Sequence, residues 1–295
     1  MSPRAATRAK PRTNQPRLMP SVVATMDDAA LFGRWFSGAS WNGWRTVLKG
    51  AYGLPLLRQE KEFFRSVADR DPPATPVREL WIAAGRRCGK DSIASLIAAY
   101  SAALFDQRER LRPGERASIL TLACDRDQAR IVLNYTRAYF TDVPMLQAMV
   151  IRETANGFEL DNGTDITVAT NNFRNVRGRT ILCAIFDEVA FWRDESSAAP
   201  DVETYGAVLP GTATLSGSLL IGISTPYRRA GLLFEKWRDH YGRDGDVLVI
   251  RAPSTTRRCG PCARGSRASR ATPTPARSES APCGRRSPST SRSTT

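Results

Sequence analysis

The stretch WIAAGRRCGKDS at residues 81–92 joins an apolar run to a loop that carries two glycines and a lysine. The apolar run predicts a buried strand, and the alanine-rich sequence Ser92–Leu104 predicts a helix directly after the loop. A tight turn at the N-terminus of a helix points backbone N–H groups inward, where they hold an anion. We therefore expect a phosphate-binding loop in which Gly85 and Gly89 permit the turn and Lys90 reaches the β and γ phosphates.

This loop departs from the common pattern G-x-x-x-x-G-K-[ST] at two positions. Ala84 occupies the first glycine position, and Asp91 stands where a magnesium-binding hydroxyl is expected. Either Asp91 binds the metal directly or the hydroxyl of Ser92 replaces it. For the loop alone, the alternative is an ordinary strand, turn and helix with an incidental lysine.

A second apolar run, ILCAIF at residues 181–186, ends in Asp187 and Glu188. Continuous apolar character is typical of a parallel strand that is covered on both faces. Two carboxylates at its end are costly without a cation, so we expect Asp187 to hold the Mg²⁺ that bridges the phosphates. We expect Glu188 to orient and deprotonate the attacking water. The alternative is a solvated strand end with surface acids.

A third apolar run, residues 218–223, is followed by Ser224, Thr225 and Pro226. Hydroxyl groups at this position are suited to sensing the γ phosphate. A turn that begins with Ser-Thr and is stiffened by proline explains the same residues equally well.

The order of the predicted elements gives the fold class. Strands are predicted at residues 78–84, 117–122, 166–169, 181–186, 219–224 and 247–251, and helices at 92–105, 126–140 and 232–241. This alternation predicts an α/β P-loop NTPase core of the ASCE or RecA-like type. Its sheet is expected to be mostly parallel, with helices on both faces and the site at the carboxyl edge of the strands.

The chain divides into four expected segments. They are a disordered basic N-terminus at residues 1–26, a helical lead-in at 27–76, the ATPase domain at 77–253 and a disordered basic tail at 254–295. The lead-in carries Trp35, Trp41 and Trp44, which form either a patch for a partner or part of the core. We favour the core, because large aromatic side chains contribute most when buried.

The positive charge is concentrated at the two ends of the chain. The net charge is +14, of which residues 1–17 supply +5 and residues 254–295 supply +8, so the remaining body is near +1. Basic ends of this kind bind nucleic-acid phosphates non-specifically. From Ser254 onward there is no Leu, Ile, Val, Met or aromatic residue, so this segment cannot form a core.

Composition also excludes several classes of protein. His240 is the only histidine, which leaves almost no material for imidazole-based triads or H-E-x-x-H metalloprotease chemistry. No apolar run reaches eighteen residues, and no hydrophobic segment follows the arginine-rich start. We therefore expect no membrane span, no secretory signal and a cytoplasmic location.

Taken together, the motifs resemble the large terminase subunit of tailed bacteriophages and prophages, from about residue 28 to about residue 251. The segments that carry the resemblance are LFGRWFSGASWNGWRTVLKGAYGLPL at 31–56, AAGRRCGKDS at 83–92, TLACDRDQARIVLNYTRAYF at 121–140, FRNVRGRT at 173–180, FDEVAFW at 186–192 and ISTP at 223–226. The tryptophan-rich leader and the Arg-Arg pair within the loop distinguish this family from helicases.

The resemblance implies an ATPase motor that hydrolyses ATP with Mg²⁺ to move double-stranded DNA into a procapsid, in the cytoplasm of a bacterial host. The implied partners are the small terminase subunit, the portal protein and further copies of the chain in a ring. The implied nucleotide contacts are Gly85, Arg86, Arg87, Cys88, Gly89, Lys90, Asp91, Ser92, Ser224 and Thr225, and the implied metal contacts are Asp187, Asp91 and Ser92.

The resemblance also implies arginines that neutralise transition-state charge. Arg86 or Arg87 is expected to act within the subunit. Arg177 is the candidate for acting across a subunit boundary, although an ordinary surface arginine is an equal alternative.

The basic tail stands where members of this family continue into a nuclease domain with clustered acids. One hypothesis is that the reading frame shifts near residue 254 and that no endonuclease activity remains; a true basic arm is the alternative. The alternative for the whole chain is a truncated, inactive prophage remnant that binds nucleotide and, non-specifically, nucleic acid. A helicase-type ATPase is disfavoured by the tryptophan leader.

Overall fold

A computed structural model of the chain describes residues 19–104, 110–170, 176–192 and 200–252. Within these ranges the strands are β1 Glu79–Ala84, β2 Ala117–Ala123, β3 Val150–Thr154, β4 Gly157–Leu160, β5 Thr164–Thr170, β6 Thr180–Asp187, β7 Leu219–Ser224 and β8 Val247–Ala252. The helices are α1 Val22–Asp27, α2 Asn42–Ala51, α3 Arg58–Ala68, α4 Lys90–Ala103, α5 Arg126–Asp142, α6 Pro144–Gln147, α7 Pro200–Thr212 and α8 Leu232–His240. Short 3₁₀ turns cover Ala39–Trp41 and Val189–Phe191.

All eight strands belong to one sheet, in the order β3-β4-β5-β2-β6-β7-β1-β8. The six strands from β5 to β8 in this order pair in parallel, whereas β3, β4 and β5 form an antiparallel corner. Helices flank the sheet. The predicted α/β fold with a mostly parallel sheet and helices on both faces is confirmed.

The central strands are mostly apolar because both of their faces are covered. In β1, β2 and β7 every residue is buried. One face packs against the core that contains α4, α5 and the lead-in, and the other carries a second core built around Trp81, Phe186 and Trp192.

A close approach between neighbouring strands fixes the position of one of these aromatic residues. Gly222 in β7 lies opposite Trp81 in β1, and a Cβ atom at Gly222 would lie 2.2 Å from the Trp81 ring. The indole therefore occupies the space that a side chain at position 222 would need.

Each strand and helix that the sequence predicted is present, with boundaries within two residues wherever the structure describes them. The prediction missed β3, β4, α6 and α7. Strand β3 is mostly exposed, so it shows no apolar pattern, and α7 contains Pro210, which suggests a break rather than a helix.

The lead-in is helical as predicted, but ordered structure begins earlier than expected. Helix α1 covers residues 22–27, so it begins within the segment 1–26 that we expected to be disordered. The physical reason is burial, since Val22 and Met26 are fully enclosed in the core. Trp44 is also buried, with Trp35 and Trp41 packed against the same core, so the core interpretation of the tryptophans is confirmed.

The basic tail at 254–295 and residues 173–175 of the FRNVRGRT motif lie outside the described residues. The frameshift hypothesis and the outer domain limits stay predictions. Among the helices that the structure describes, none is long and apolar enough to cross a membrane.

Candidate active site

Three neighbouring parallel strands, β1, β7 and β6, end at the same edge of the sheet. The loop 85–89 follows β1 and leads into Lys90, the first residue of α4. Glu188 follows β6, and Ser224 ends β7. Residues that are far apart in the sequence therefore meet at one place, the carboxyl edge that the sequence predicted.

The loop between β1 and α4 makes a tight turn. Gly89 has φ 86°, a left-handed conformation that glycine adopts without strain, and it stands directly before the helix. Arg87 is also left-handed, with φ 60°, which is uncommon for a residue with a side chain. The start of α4 is thereby brought close to the end of the sheet, with its first N–H groups available to an anion.

The Lys90 side chain is buried and meets two carboxylates. Its Nζ atom lies 2.8 Å from Glu188 Oε1 and 3.2 Å from Asp91 Oδ1. Burial by itself lowers the pKa of Lys90, but the hydrogen bond to Glu188 and the negative charge of Asp91 outweigh it and raise the pKa above its ordinary value. The lysine is therefore a fixed positive charge.

The Glu188 side chain is held at both oxygens. While Oε1 meets Lys90, Oε2 accepts hydrogen bonds from Ser224 Oγ at 3.0 Å and from the Thr225 backbone N–H at 3.1 Å. Its backbone is left-handed, with φ 49°, a conformation that costs energy and is concentrated at functional sites. Glu188 is thus fixed in orientation by the ends of two other strands.

Asp187 is almost completely buried, at 1% exposure, and its Oδ1 atom has no hydrogen-bond partner. Burial, followed by the charges of Asp91 and Glu188, raises the pKa of Asp187 to about 7, against the opposing effects of Lys90 and Gln128. A buried carboxylate oxygen without a partner is costly in a folded protein.

The oxygens around Asp187 fit a hard cation. Asp91 Oδ1 and Thr225 Oγ1 are also buried without a hydrogen bond. The Nζ atom of Lys90 approaches Asp91 Oδ1 only as an ion pair, at 3.2 Å. Among the residues that the structure describes, no group of three or more His, Cys, Asp or Glu side chains forms a metal cage. Mg²⁺ does not require one, since it binds through one or two carboxylates together with phosphates and water.

The structure brings most of the predicted site residues together. The interacting group consists of Lys90, Asp91, Asp187, Glu188, Ser224 and Thr225. Ser92 is half-buried in the first turn of α4, and Cys88 is buried, with burial raising the pKa of its thiol. Arg86 and Arg87 are exposed on the loop.

Arg177 does not lie at this edge. It stands three residues before β6, whereas Asp187 ends that strand, and seven residue steps of about 3.3 Å separate the two ends. Arg177 and Arg179 instead line a cleft with Gly206 and Pro210 of α7. Arg177 is therefore remote from the Lys90 of its own chain.

One residue near the site was missed by the sequence analysis. Gln128 lies in the first turn of α5, where its backbone N–H donates to the N-cap Asp125 at 2.8 Å, and its side chain interacts with Asp187. The signal was present in the sequence, because an aspartate N-cap directly after the apolar strand β2 places the first turn of α5 at the same edge.

No family model matches the sequence, and no curated protein is significantly similar to it. Among solved structures, the HK97 bacteriophage large terminase is similar, with 20% identity and a TM-score of 0.44 over 67% of this chain and 40% of that one. The Thermus phage P74-26 large terminase ATPase domain is similar, with 19% identity and a TM-score of 0.44 over 68% of this chain and 88% of that one. A mutant of that ATPase domain gives 16% identity and a TM-score of 0.42.

This chain therefore spans 40% of the HK97 terminase chain. Likenesses this distant assign no function.

Proposed function

We propose that this chain is a Mg²⁺-dependent ATP hydrolase, the motor subunit of a phage DNA-packaging terminase. One observation carries the hydrolase proposal: a buried, unpartnered Asp187 oxygen lies beside the Lys90–Glu188 pair, at the mouth of a left-handed glycine loop. A cation site, an ammonium and an anion-binding helix start at one sheet edge suit a nucleoside triphosphate.

The loop and Lys90 bind the phosphates in this proposal. The loop residues 85–89 and the start of α4 present backbone N–H groups to the phosphate oxygens, and Lys90 adds a full positive charge. Asp187, with Asp91 or Ser92, would hold Mg²⁺, and a bound Mg²⁺ would neutralise the negative charge of the phosphates.

Glu188 orients the attacking water and accepts its proton. In the structure its Oε1 atom is bound to Lys90 and is therefore not available to a water molecule. A phosphate that binds the ammonium competes for that contact and leaves Oε1 for the water. The hydrogen bonds from Ser224 and Thr225 keep Oε2 fixed, so the carboxylate stays aimed at the site and those two residues respond to the γ phosphate.

Arginines are assigned by their distance from the site. Arg86 and Arg87 are on the loop itself and serve to neutralise transition-state charge within the subunit. Arg177, which lies near the amino end of β6, acts on the site of a neighbouring copy in a ring rather than on the site of its own chain.

The motor part of the proposal rests on the terminase-like sequence segments. It adds double-stranded DNA as the substrate that is moved, with the small terminase subunit and the portal protein as partners, in the bacterial cytoplasm. A remnant that binds nucleotide without useful turnover is the second candidate, favoured by the tail, which has no Leu, Ile, Val, Met or aromatic residue from Ser254 onward.

The test is steady-state ATP hydrolysis with Mg²⁺, with EDTA, and in the variants Glu188→Gln and Glu153→Gln. We expect Glu188→Gln to lose about 10²- to 10⁴-fold in kcat while it retains nucleotide binding. Glu153, on the exposed strand β3, is the matched control and should keep full activity.

Nucleotide binding by the wild type without hydrolysis would refute the hydrolase and support the remnant. Stimulation of hydrolysis by double-stranded DNA tests the motor separately, because a simple hydrolase would not respond to it.

A further inference from the structure

Two tryptophans of the lead-in contact the phosphate loop directly. Trp44, on α2, donates a hydrogen bond from Nε1 to the carbonyl oxygen of Cys88 at 2.8 Å. The Trp41 ring lies against Gly89, where an added Cβ would be 2.9 Å from the nearest ring atom. The loop therefore depends on side chains that come from outside the nucleotide-binding core.

The hydrogen bond from Trp44 determines the direction of a neighbouring N–H group. The carbonyl of Cys88 and the N–H of Gly89 belong to the same planar peptide, and in a trans peptide these two groups point in opposite directions. Since the carbonyl points at Trp44, the Gly89 N–H points away from the lead-in. This N–H belongs to the residue that caps α4, where the anion-binding groups of the loop begin.

The Trp41 ring limits what the capping residue can be. Gly89 has φ 86°, which disfavours any side chain, and the ring fills the space that a Cβ would need. Ring and backbone thus enforce the same conformation of the peptide.

Both indoles are themselves held firmly. Arg45 bonds to Asp27 Oδ1 at 2.7 Å and to the Phe36 carbonyl at 2.8 Å, which ties α2 to the segment before it. Phe36 packs edge-on against Trp41, with ring centroids 4.9 Å apart. Side chains that are fixed in this way can hold the loop in one conformation.

We infer that Trp44 is a positioning residue for phosphate binding: its indole N–H orients the Cys88–Gly89 peptide, so that the loop is ready for a nucleotide before one arrives. The inference rests on the proposed function, because it assumes that the loop binds a nucleoside triphosphate. Without the indole N–H the Cys88 carbonyl loses its partner, and the peptide is free to rotate away from the binding geometry.

The test compares Trp44→Phe with Trp81→Phe in the full chain. Each change removes an indole N–H from a buried acceptor, since Trp81 Nε1 donates to Glu79 Oε2 at 2.8 Å near the opposite edge of the sheet. A fluorescent ADP analogue gives Kd, and steady-state hydrolysis gives KM and kcat. For Trp44→Phe we expect Kd and the KM for ATP to rise about tenfold, with kcat within about twofold because Asp187 and Glu188 are untouched.

For Trp81→Phe we expect a similar loss of thermal stability with Kd unchanged. If Kd is unchanged in both variants, or rises equally in both, the inference is overturned, because the role of Trp44 would then be structural only. Trp41→Leu is the second variant, should Trp44→Phe fold poorly. It is expected to weaken ADP binding about threefold, and unchanged binding there would count against the inference.

Lys90→Ala separates this inference from the proposed function. Wild-type binding that is lost in Lys90→Ala but unchanged in Trp44→Phe removes the inference and leaves the proposed function standing. A wild type that binds no nucleotide removes both.

Discussion

The sheet carries a buried lysine–glutamate pair near each of its two edges, and the two pairs have different surroundings. In the site cluster, defined as Lys90, Asp91, Asp187 and Glu188, the ammonium is 2.8 Å from Glu188, yet oxygens of Asp91 and Asp187 have no hydrogen-bond partner. In the amino-edge cluster, defined as Glu79, Trp81, Tyr205 and Lys236, the ammonium is 2.7 Å from Glu79, and both oxygens of Glu79 accept further hydrogen bonds.

The difference separates a structural ion pair from a functional one. Lys236 also meets the Tyr205 hydroxyl at 2.7 Å and lies over the Tyr205 ring, so the amino-edge cluster satisfies itself and joins β1, α7 and α8. The site cluster contains three acids for one lysine and keeps an excess of negative charge. A closed network stabilises the fold, whereas an open one retains capacity for a ligand.

The largest effect that distinguishes the clusters is expected from Lys236→Ala. This change leaves Glu79 as a buried charge without its counter-ion, so the free energy of unfolding should fall by about 3–5 kcal/mol. Urea denaturation measures it, and Lys61→Ala on the exposed face of α3 is the control, expected to change stability by less than about 0.5 kcal/mol. A small effect of Lys236→Ala would mean that the amino-edge pair is not structural.

Lys90→Ala should have the opposite profile, with a large effect on binding. Two or more charge-assisted hydrogen bonds to phosphate are lost, so the Kd for ATP should rise about 100-fold. Titration of a fluorescent ATP analogue measures this, with Lys61→Ala again as control. If Lys90→Ala binds ATP as the wild type does, the site cluster is not a phosphate site.

A gain in stability is expected from Asp187→Asn in the absence of Mg²⁺. The change removes one of three crowded negative charges from a buried position, and the free energy of unfolding should rise by about 1–2 kcal/mol. The matched change Glu79→Gln removes a charge that is fully paired and should lower stability. Urea denaturation measures the change in the free energy of unfolding for both variants. If this change has the same sign in both, the two clusters do not differ in the way described.

An effect of similar size but opposite sign is expected from Tyr205→Phe. The hydroxyl donates to Glu79 Oε1 and accepts from Lys236, each at 2.7 Å, so its removal should cost about 1–2 kcal/mol. Tyr135→Phe, on the exposed face of α5, is the control. Thermal unfolding of the two variants decides whether the hydroxyl is part of the closed network.

The sequence analysis predicted the residues of the site cluster and missed the amino-edge cluster, for a physical reason. Lys90 and Asp187 each come after an apolar run that predicts a strand. The change from apolar to polar residues at the end of that strand is visible in the local sequence. The amino-edge cluster has no such local signature, because Tyr205 and Lys236 lie 126 and 157 residues from Glu79 along the chain. Only the packing of α7 and α8 on the sheet brings them together.

The contact between the lead-in and the loop was hidden in the same way. Trp44 was expected in the core on the grounds of size, and it is there. Its hydrogen bond to Cys88 spans 44 residues and depends on the angle of α2, which no periodicity encodes. The left-handed backbone of Glu188 was likewise unforeseen, since a glutamate rarely adopts such a conformation.

The contact between Trp81 and Gly222 makes two positions interdependent during evolution. Because the indole fills the place of a side chain at 222, a larger residue there is tolerated only where position 81 has become smaller. Relatives of this chain should therefore vary at these two sites in concert. A selection experiment starting from Gly222→Ala should recover compensating changes at Trp81 before it recovers changes anywhere else in the sheet.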